Sequence, residues 1–298
     1  MVSPRWVAVA LSLSSGELAT TGWRRLHRVD VLLLAYLTVV SVVAAERAGS
    51  QPACWWLLVA HGLFGVLLYL ISRPGLGPAG RTIRELYPLF LLPGLYSEIG
   101  VLNSPLRPVH DLLVQHWELL AFGMQVSRDW WQRAPSVFWS TVLHAAYLSY
   151  YFIISAPAFY FAWKGDLQAV RRFILIVMTT FVLCYLFFIF FPVAGPYYVF
   201  PRPQNWFISN LPARLVYNAL ARGSSYGAAF PSSHVAAALA ASLAALRASR
   251  RLGLVLLIPT ALLTVGVVYC QMHYGVDALG GLLVGGLVTS ALGRERTA

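Results

Sequence analysis

Long apolar runs alternate with short polar connections along most of the chain. A helix that crosses a bilayer needs roughly 20 apolar residues. Seven runs reach or approach that length, at about residues 30–46, 54–72, 138–162, 171–192, 232–247, 253–271 and 273–292. The pattern therefore predicts an all-α bundle of transmembrane helices.

An eighth run, residues 86–102, is apolar but contains Pro88, Pro93 and Glu98. It crosses the membrane, or it forms a re-entrant or interfacial piece. If all eight runs cross, most of the 22 Lys and Arg residues lie on one face, which the positive-inside rule makes cytoplasmic. We therefore expect about eight spans, a six-helix catalytic core plus extra N-terminal helices, with both termini in the cytoplasm.

Composition excludes a soluble domain. Hydrophobic residues make up 58% of the 298-residue chain, charged residues only 11%, and the mean hydropathy is +0.66. The net charge of +11 comes from short arginine clusters between apolar runs, where they would meet anionic head groups. The expected partner is thus the bilayer of a plasma or inner membrane and not a nucleic acid. The spacing of the three cysteines indicates neither a disulfide framework nor a metal site.

These features divide the chain into four parts. We expect a cytoplasmic tail (1–29), N-terminal membrane helices (30–109), a catalytic membrane domain (110–293) and a second cytoplasmic tail (294–298). Two long connections would lie on the outer face. The first would contain an interfacial helix with membrane-anchoring tryptophans between Asp111 and Arg133, and the second, 193–231, would be an irregular loop that its length marks as a functional candidate.

The first motif with chemical potential is Phe230-Pro231-Ser232-Ser233-His234. Proline and serine are ordinary signals for the start of a helix. A histidine in the first turn, behind two hydroxyls, suggests more, because a helix N-terminus offers free N–H groups and a positive dipole end to a phosphate. Ser232 and Ser233 would add hydrogen-bond donors there.

The second motif is Gln271-Met272-His273-Tyr274-Gly275-Val276-Asp277, at the start of the last span. His273 and Asp277 are four residues apart and so lie on one face of a helix. The carboxylate can accept the proton of one ring nitrogen and leave the other lone pair free for attack. The alternative is an acidic residue that only caps the helix, but ionisable residues within membrane segments are functional candidates by default.

Span parity brings the two motifs together. The chain enters one span at His234, turns after the crossing, and returns before His273. Both histidines and Asp277 are therefore expected at one level on the outer face.

The second outer connection carries a third candidate. Its segment from Phe191 to Pro203 ends a span and is rich in proline and tyrosine, which could be only an interfacial turn. Arg202 could bind a phosphate oxygen, since the guanidinium fork suits that geometry, and Tyr197 is a second candidate contact. Arg222 could compete for the same role.

Together these motifs resemble those of the type 2 phosphatidic acid phosphatase superfamily. The likeness runs from about Asp111 to Leu292 and is strongest to the branch with fungal inositol phosphorylceramide synthase and sphingomyelin synthase. The resemblance implies that His273 is the nucleophile, that Asp277 orients it, and that His234 protonates the leaving alcohol and then activates the acceptor. It implies no cofactor and no metal.

The sequence departs from the phosphatase pattern of that family. A Lys-x6-Arg-Pro motif is absent, and Gly266-Val267 replaces the Ser-Arg expected ahead of the second histidine. The lipid phosphotransferase branch also lacks these cations, and Arg202 is our candidate substitute.

We therefore expect an enzyme that acts on a lipid phosphoester, with water, a polyol or a lipid alcohol as acceptor. The sequence does not choose between phosphatase and transferase. Two other readings are a transporter whose polar motifs line a pathway, and a non-catalytic membrane protein that keeps a degenerate site. Charged residues gathered at one face, and the lack of symmetry between the halves, disfavour the transporter.

Overall fold

A computed structural model describes residues 26–72, 77–103 and 108–293. Its α-helices, in chain order, are α1 (Arg28–Arg47), α2 (Cys54–Ile71), α3 (Pro78–Leu102), α4 (Asp111–Phe122), α5 (Val126–Arg133), α6 (Val137–Leu148), α7 (Tyr150–Trp163), α8 (Leu167–Phe190), α9 (Pro196–Val199), α10 (Asn205–Ile208), α11 (Leu211–Gly223), α12 (Ser233–Ala248), α13 (Arg250–Tyr269) and α14 (Gly275–Leu292). Within these ranges there is no β-strand, only one isolated parallel bridge between Val193 and Ala228. The expected all-α fold is confirmed.

Six helical segments are long and apolar enough to cross a membrane: α1, α2, the joined pair α6–α7, α8, α13 and α14. The chain is therefore an integral membrane protein with several spans. The other two predicted spans also form helices. Helix α3 has 25 residues and includes Pro88 and Pro93, while α12 is apolar but has only 16 residues. That both of them cross stays a prediction. Almost all of the expected N-terminal tail, and all of 294–298, lie outside the described residues.

Helix α12 lies at the centre of the bundle and packs against α8, α13 and α14. Half of its residues are alanines, and most of these are fully buried, so neighbouring backbones can approach closely. On α14, Gly281 and Gly285 face α12. An added Cβ would lie 2.6 Å from the Ser232 carbonyl oxygen at the first position and 2.5 Å from that of Ala236 at the second. This small-xxx-small contact, typical of membrane helices, sets the spacing of α12 and α14.

The N-terminal helices attach to the rest of the bundle mainly through α8, which contacts both α1 and α3. Inside this junction the Arg84 guanidinium pairs with the buried Asp30 carboxylate. Removing one partner of such a buried pair strongly destabilises the folded protein, because the other charge stays buried without a partner. The pair therefore fixes how α3 sits against α1.

The predicted interfacial helix between Asp111 and Arg133 is instead two helices, α4 and α5. The left-handed Gly123 (φ 70°) separates them. Trp131 is buried, and its indole N–H donates to the Gln271 side chain at 3.0 Å. The expected membrane anchor is thus wrong for Trp131, which packs inside the protein because a partner for its N–H lies there.

The connection 193–231 was expected to be irregular, but it contains α9, α10 and α11. The side chain of Asn210 caps α11 by accepting from the Ala213 N–H at 2.9 Å. Ala213 and Val216 are buried one turn apart. This apolar face packs α11 against α6. The connection is therefore regular and helical over this part of its length.

Candidate active site

His234 lies in the first turn of α12, which Ser232 caps by accepting from the Val235 N–H at 3.4 Å. The ring Nε2 lies 3.0 Å from the Tyr147 hydroxyl, and Nδ1 has no hydrogen-bond partner among the described residues. Tyr147 and Tyr150 pack on the ring, with centroids 4.8 and 4.4 Å away. The imidazole is therefore held in place by α6 and α7.

His273 lies just before α14, and its Nδ1 faces two acceptors. The Ala229 carbonyl oxygen is 3.0 Å away and the Asp277 Oδ2 is 3.4 Å away. Because a carbonyl and a carboxylate can only accept, this arrangement places the proton on Nδ1. The Nε2 lone pair is then free to attack an electrophile.

Asp277 is fully buried and has a second task. Its Oδ2 accepts from the Tyr274 backbone N–H at 2.8 Å, which caps α14, while Oδ1 lacks a partner in the described part of the chain. Capping and orienting are thus combined in one carboxylate.

The two histidine rings lie 5.8 Å apart between centroids. They share the wall of a cavity of about 40 Å³. Its other lining residues come from α3, α6, the 193–231 connection and the turn before α14: Tyr96, Tyr147, Ala194, Tyr197, Tyr198, Leu220, Ser224, Ser225, Ala228, Ala229 and Met272. A phosphorus atom in this cavity would lie near both rings.

The two predicted serines are not among the residues that line the cavity. Both are buried. The Ser232 hydroxyl caps α12, and its backbone N–H donates to the Asp277 carbonyl oxygen at 3.0 Å. Ser232 therefore joins the two motifs through its backbone.

Tyr197 lines the cavity, whereas Arg202 lies beside it. The Arg202 guanidinium donates to the Tyr197 hydroxyl at 3.3 Å and lies over the rings of Tyr197 and Tyr217. Arg202 is exposed and is not among the residues that line the cavity.

The sequence analysis missed the contact of Tyr147 with His234. It also missed the Ala229 carbonyl. Neither gives a signal in the sequence, because one is an aromatic residue in an apolar helix and the other is a backbone atom.

Two carboxylates of α4, those of Asp111 and Glu118, accept hydrogen bonds from residues that border the site. Asp111 accepts from the backbone N–H groups of Ala194 and Gly195, both at 2.8 Å, and from the Tyr274 hydroxyl at 2.9 Å. Glu118 accepts from the Gly275 N–H at 2.8 Å. Burial raises the pKa of the Glu118 carboxyl, and its backbone hydrogen bonds oppose that rise. Both residues tie the connection and the start of α14 to α4.

Across residues 26–72, 77–103 and 108–293, no group of three His, Cys, Asp or Glu side chains is arranged to hold a metal ion.

Comparison with known proteins gives one match. No curated protein and no solved structure matches the chain. The sequence model of the PAP2 superfamily matches residues 112–291, a segment that contains both histidine motifs. Since this match covers more than half of the sequence, the chain belongs to the PAP2 superfamily.

Proposed function

We propose that this protein is a lipid phosphatase or lipid phosphotransferase that works through a phosphohistidine at His273. Members of the PAP2 superfamily are phosphatases or phosphotransferases. The observation that carries the proposal is the pair of histidine rings 5.8 Å apart in one cavity, with the Ala229 carbonyl and the Asp277 carboxylate at Nδ1 of His273. That pair supplies a nucleophile and an acid–base group on the two sides of a bound phosphorus.

In the first step, Nε2 of His273 attacks phosphorus and the P–O bond to the leaving alcohol breaks. Protonated His234 gives its proton to that alcohol oxygen. The positive charge that develops on His273 is offset by Asp277, and the Ala229 carbonyl keeps the Nδ1 proton in place.

In the second step, water or an alcohol attacks the phosphohistidine. Neutral His234 takes the proton of the acceptor, the P–N bond breaks, and His273 returns to its starting state. The Tyr147 hydroxyl faces Nε2 of His234, so His234 exchanges the proton at Nδ1, and the Tyr147 oxygen accepts from the Nε2 N–H in both protonation states.

Negative charge on the phosphoryl oxygens needs stabilisation. The first-turn N–H groups and positive end of α12 would supply part of it, as would protonated His234. We assign Tyr197 and Arg202 as further contacts. Ser232 acts as the helix cap, and the buried Ser233 does not line the cavity.

The finer assignments rest on the sequence. The excess of positive charge on the opposite face supports an outer-face site in the plasma or inner membrane, with cytoplasmic termini. The absent phosphatase cations favour transfer to a lipid or polyol alcohol over transfer to water, and with it the branch that includes the inositol phosphorylceramide and sphingomyelin synthases.

A trapping experiment tests the function. Purified protein in mixed micelles is given phosphatidate labelled on phosphorus, and phosphatidylinositol labelled on phosphorus in a parallel sample. We expect acid-labile label on the protein, mapped to the peptide that contains His273, together with labelled phosphate or a labelled new lipid. The ratio of these two products separates phosphatase from transferase. Turnover of both lipids without any labelled protein would contradict the covalent mechanism, and absence of turnover would contradict the enzyme assignment.

Replacing Tyr147 with phenylalanine tests whether the Tyr147 hydroxyl affects proton transfer by His234. The variant keeps the ring that packs on the imidazole but loses the hydroxyl 3.0 Å from Nε2. We expect kcat to fall about 10-fold, less than the roughly 10²–10⁴-fold that general acid–base catalysis contributes, because His234 itself remains. We also expect the pH profile to shift, while the melting temperature in detergent changes little. Tyr160→Phe on the same membrane segment is the control, since Tyr160 is part exposed and remote from the cavity lining. An unchanged pH profile in Tyr147→Phe would show that the hydroxyl does not act on His234.

A further inference from the structure

Besides the histidines, Tyr147 and Tyr197, the cavity wall carries four hydroxyl side chains: Tyr96, Tyr198, Ser224 and Ser225. They form one connected group. The Tyr198 hydroxyl donates to Ser224 Oγ at 2.9 Å, and Ser224 also interacts with the Tyr96 hydroxyl. Ser225 donates through its backbone N–H to the Tyr96 hydroxyl at 3.3 Å and through Oγ to the Tyr96 carbonyl oxygen at 2.7 Å. We call these four residues the hydroxyl cluster.

One member of the hydroxyl cluster comes from outside the segment that matches the family. Among the lining residues in the described ranges, Tyr96 alone lies outside 112–291. It is supplied by α3, whose end is docked closely on the 193–231 connection. An added Cβ on Gly100 would meet Ser225 Oγ at 3.3 Å, and one on Gly227 would meet Asn103 Nδ2 at 2.7 Å. An N-terminal helix thus completes the cavity of the family domain.

The chemistry of the hydroxyl cluster favours an uncharged partner. None of the lining residues that the structure describes is an Arg, Lys, Asp or Glu. Hydroxyls both donate and accept hydrogen bonds, so they match the hydroxyls of an alcohol. A lipid phosphoester offers such a group next to its phosphorus, in the alcohol of its headgroup.

We propose that the hydroxyl cluster is the subsite for the headgroup alcohol of the phosphoester, and that Tyr96 makes α3 a determinant of headgroup choice. The inference rests on the proposed function, because the phosphoryl group must lie at His234 and His273 for the alcohol to reach the hydroxyl cluster. The ligand class is an uncharged, hydroxyl-bearing headgroup. The four tyrosines that line the cavity could instead attract a quaternary ammonium by cation–π interaction, and the test includes that outcome.

Occupancy of the subsite can be measured without turnover. Ser224 is partly exposed, and the three native cysteines are buried, so Ser224→Cys offers one thiol for a maleimide. The full-length variant is labelled in detergent micelles that contain phosphatidylglycerol, phosphatidate or phosphatidylcholine. We expect phosphatidylglycerol to slow labelling at least about 3-fold more than phosphatidate does, because only the former carries a headgroup alcohol beyond the phosphate.

The other outcomes overturn the proposal. Equal protection by phosphatidate would assign this end of the cavity to the phosphate. Strongest protection by phosphatidylcholine would assign it to a cation, and no protection by any lipid would remove the subsite. Repeating the labelling with Ser224→Cys/His273→Ala separates the two proposals. If lipid still protects the introduced thiol from the maleimide but the wild-type protein transfers no phosphoryl group, the proposed function is contradicted and the subsite is not. If turnover depends on His273 but no lipid slows the labelling, the subsite is contradicted and the function is not.

A second variant tests Tyr96 directly. Tyr96→Phe deletes the hydroxyl, and we expect the ratio of kcat/KM for phosphatidylglycerol to that for phosphatidate to fall about 5-fold, as loss of one neutral hydrogen bond predicts. Ser97→Ala is the matched control, because it deletes a hydroxyl from the next residue, where Oγ bonds only back to the Pro93 carbonyl oxygen of its own helix at 2.8 Å. If both variants keep the wild-type ratio, α3 does not determine headgroup choice.

Discussion

Phosphoryl turnover in the His273→Ala variant is expected to fall at least about 10⁴-fold, with complete loss of the phosphoprotein. Removing a covalent nucleophile eliminates the two-step route, and losses of this order accompany such changes. The two acceptors at Nδ1 of His273, the Ala229 carbonyl and the Asp277 carboxylate, are the reason to assign attack to Nε2 of this ring.

Because His273 is nearly buried, a folding defect must be distinguished from a chemical one. His273→Gln keeps a polar side chain that can donate to the Ala229 carbonyl oxygen, and we expect it to be as inactive as alanine with a melting temperature near that of wild type. His116→Ala removes an exposed histidine of α4 and is expected to retain full activity. Label that stays on the protein in His273→Ala would place the nucleophile at another residue, with His234 the first to be tested.

Much of the fold could be predicted because a bilayer imposes a simple length rule on the chain. Each predicted span is a helix, including α3 with its two prolines and α12 with only 16 residues. Span parity alone also brought His234 and His273 to one end of the bundle, where their rings share a cavity. The hydrophobic pattern therefore carried information about the site as well as about the fold.

The partners of the histidines were harder to predict. Tyr147 is separated from His234 by 87 residues, and the Ala229 carbonyl from His273 by 44. The first contact depends on the rotation of α6 against α12, and the second on the course of two non-helical segments. An apolar run encodes neither. Asp111 and Glu118 brace the start of α14 from more than 150 residues away, and only the folded chain connects them.

The 193–231 connection was mispredicted for a different reason. Its proline, glycine and serine residues, among them Pro212 in the first turn of α11, masked the helical spacing of Ala213, Val216 and Leu220. The predicted serine donors show a related limit. The pattern that marks Ser232 as a helix cap is satisfied in the structure, and a hydroxyl engaged in capping is a poorer candidate for phosphate contact.

Replacing Gly285 with leucine is expected to lower both stability and activity sharply. An added Cβ at this position would lie 2.5 Å from the Ala236 carbonyl oxygen, and backbone cannot give way as a flexible side chain does. Overpacking typically costs about 1–3 kcal/mol, and here it would push α14 away from α12. Since His234 begins one of these helices and Asp277 the other, the same shift would separate the histidines. We expect turnover to fall at least about 10-fold and the melting temperature in detergent to drop.

Gly286 provides a control on the same turn. An added Cβ there meets nothing within 4 Å, so Gly286→Leu places the same side chain in open space and is expected to behave like wild type. Gly281→Ala should give an intermediate loss, because its Cβ would lie 2.6 Å from the Ser232 carbonyl oxygen and only one methyl group is added. If Gly285→Leu melts and turns over like Gly286→Leu, the close contact of α12 and α14 does not set the distance between the two histidines. A graded loss from Gly286 through Gly281 to Gly285 would instead show that the small residues of this interface determine the geometry of the site.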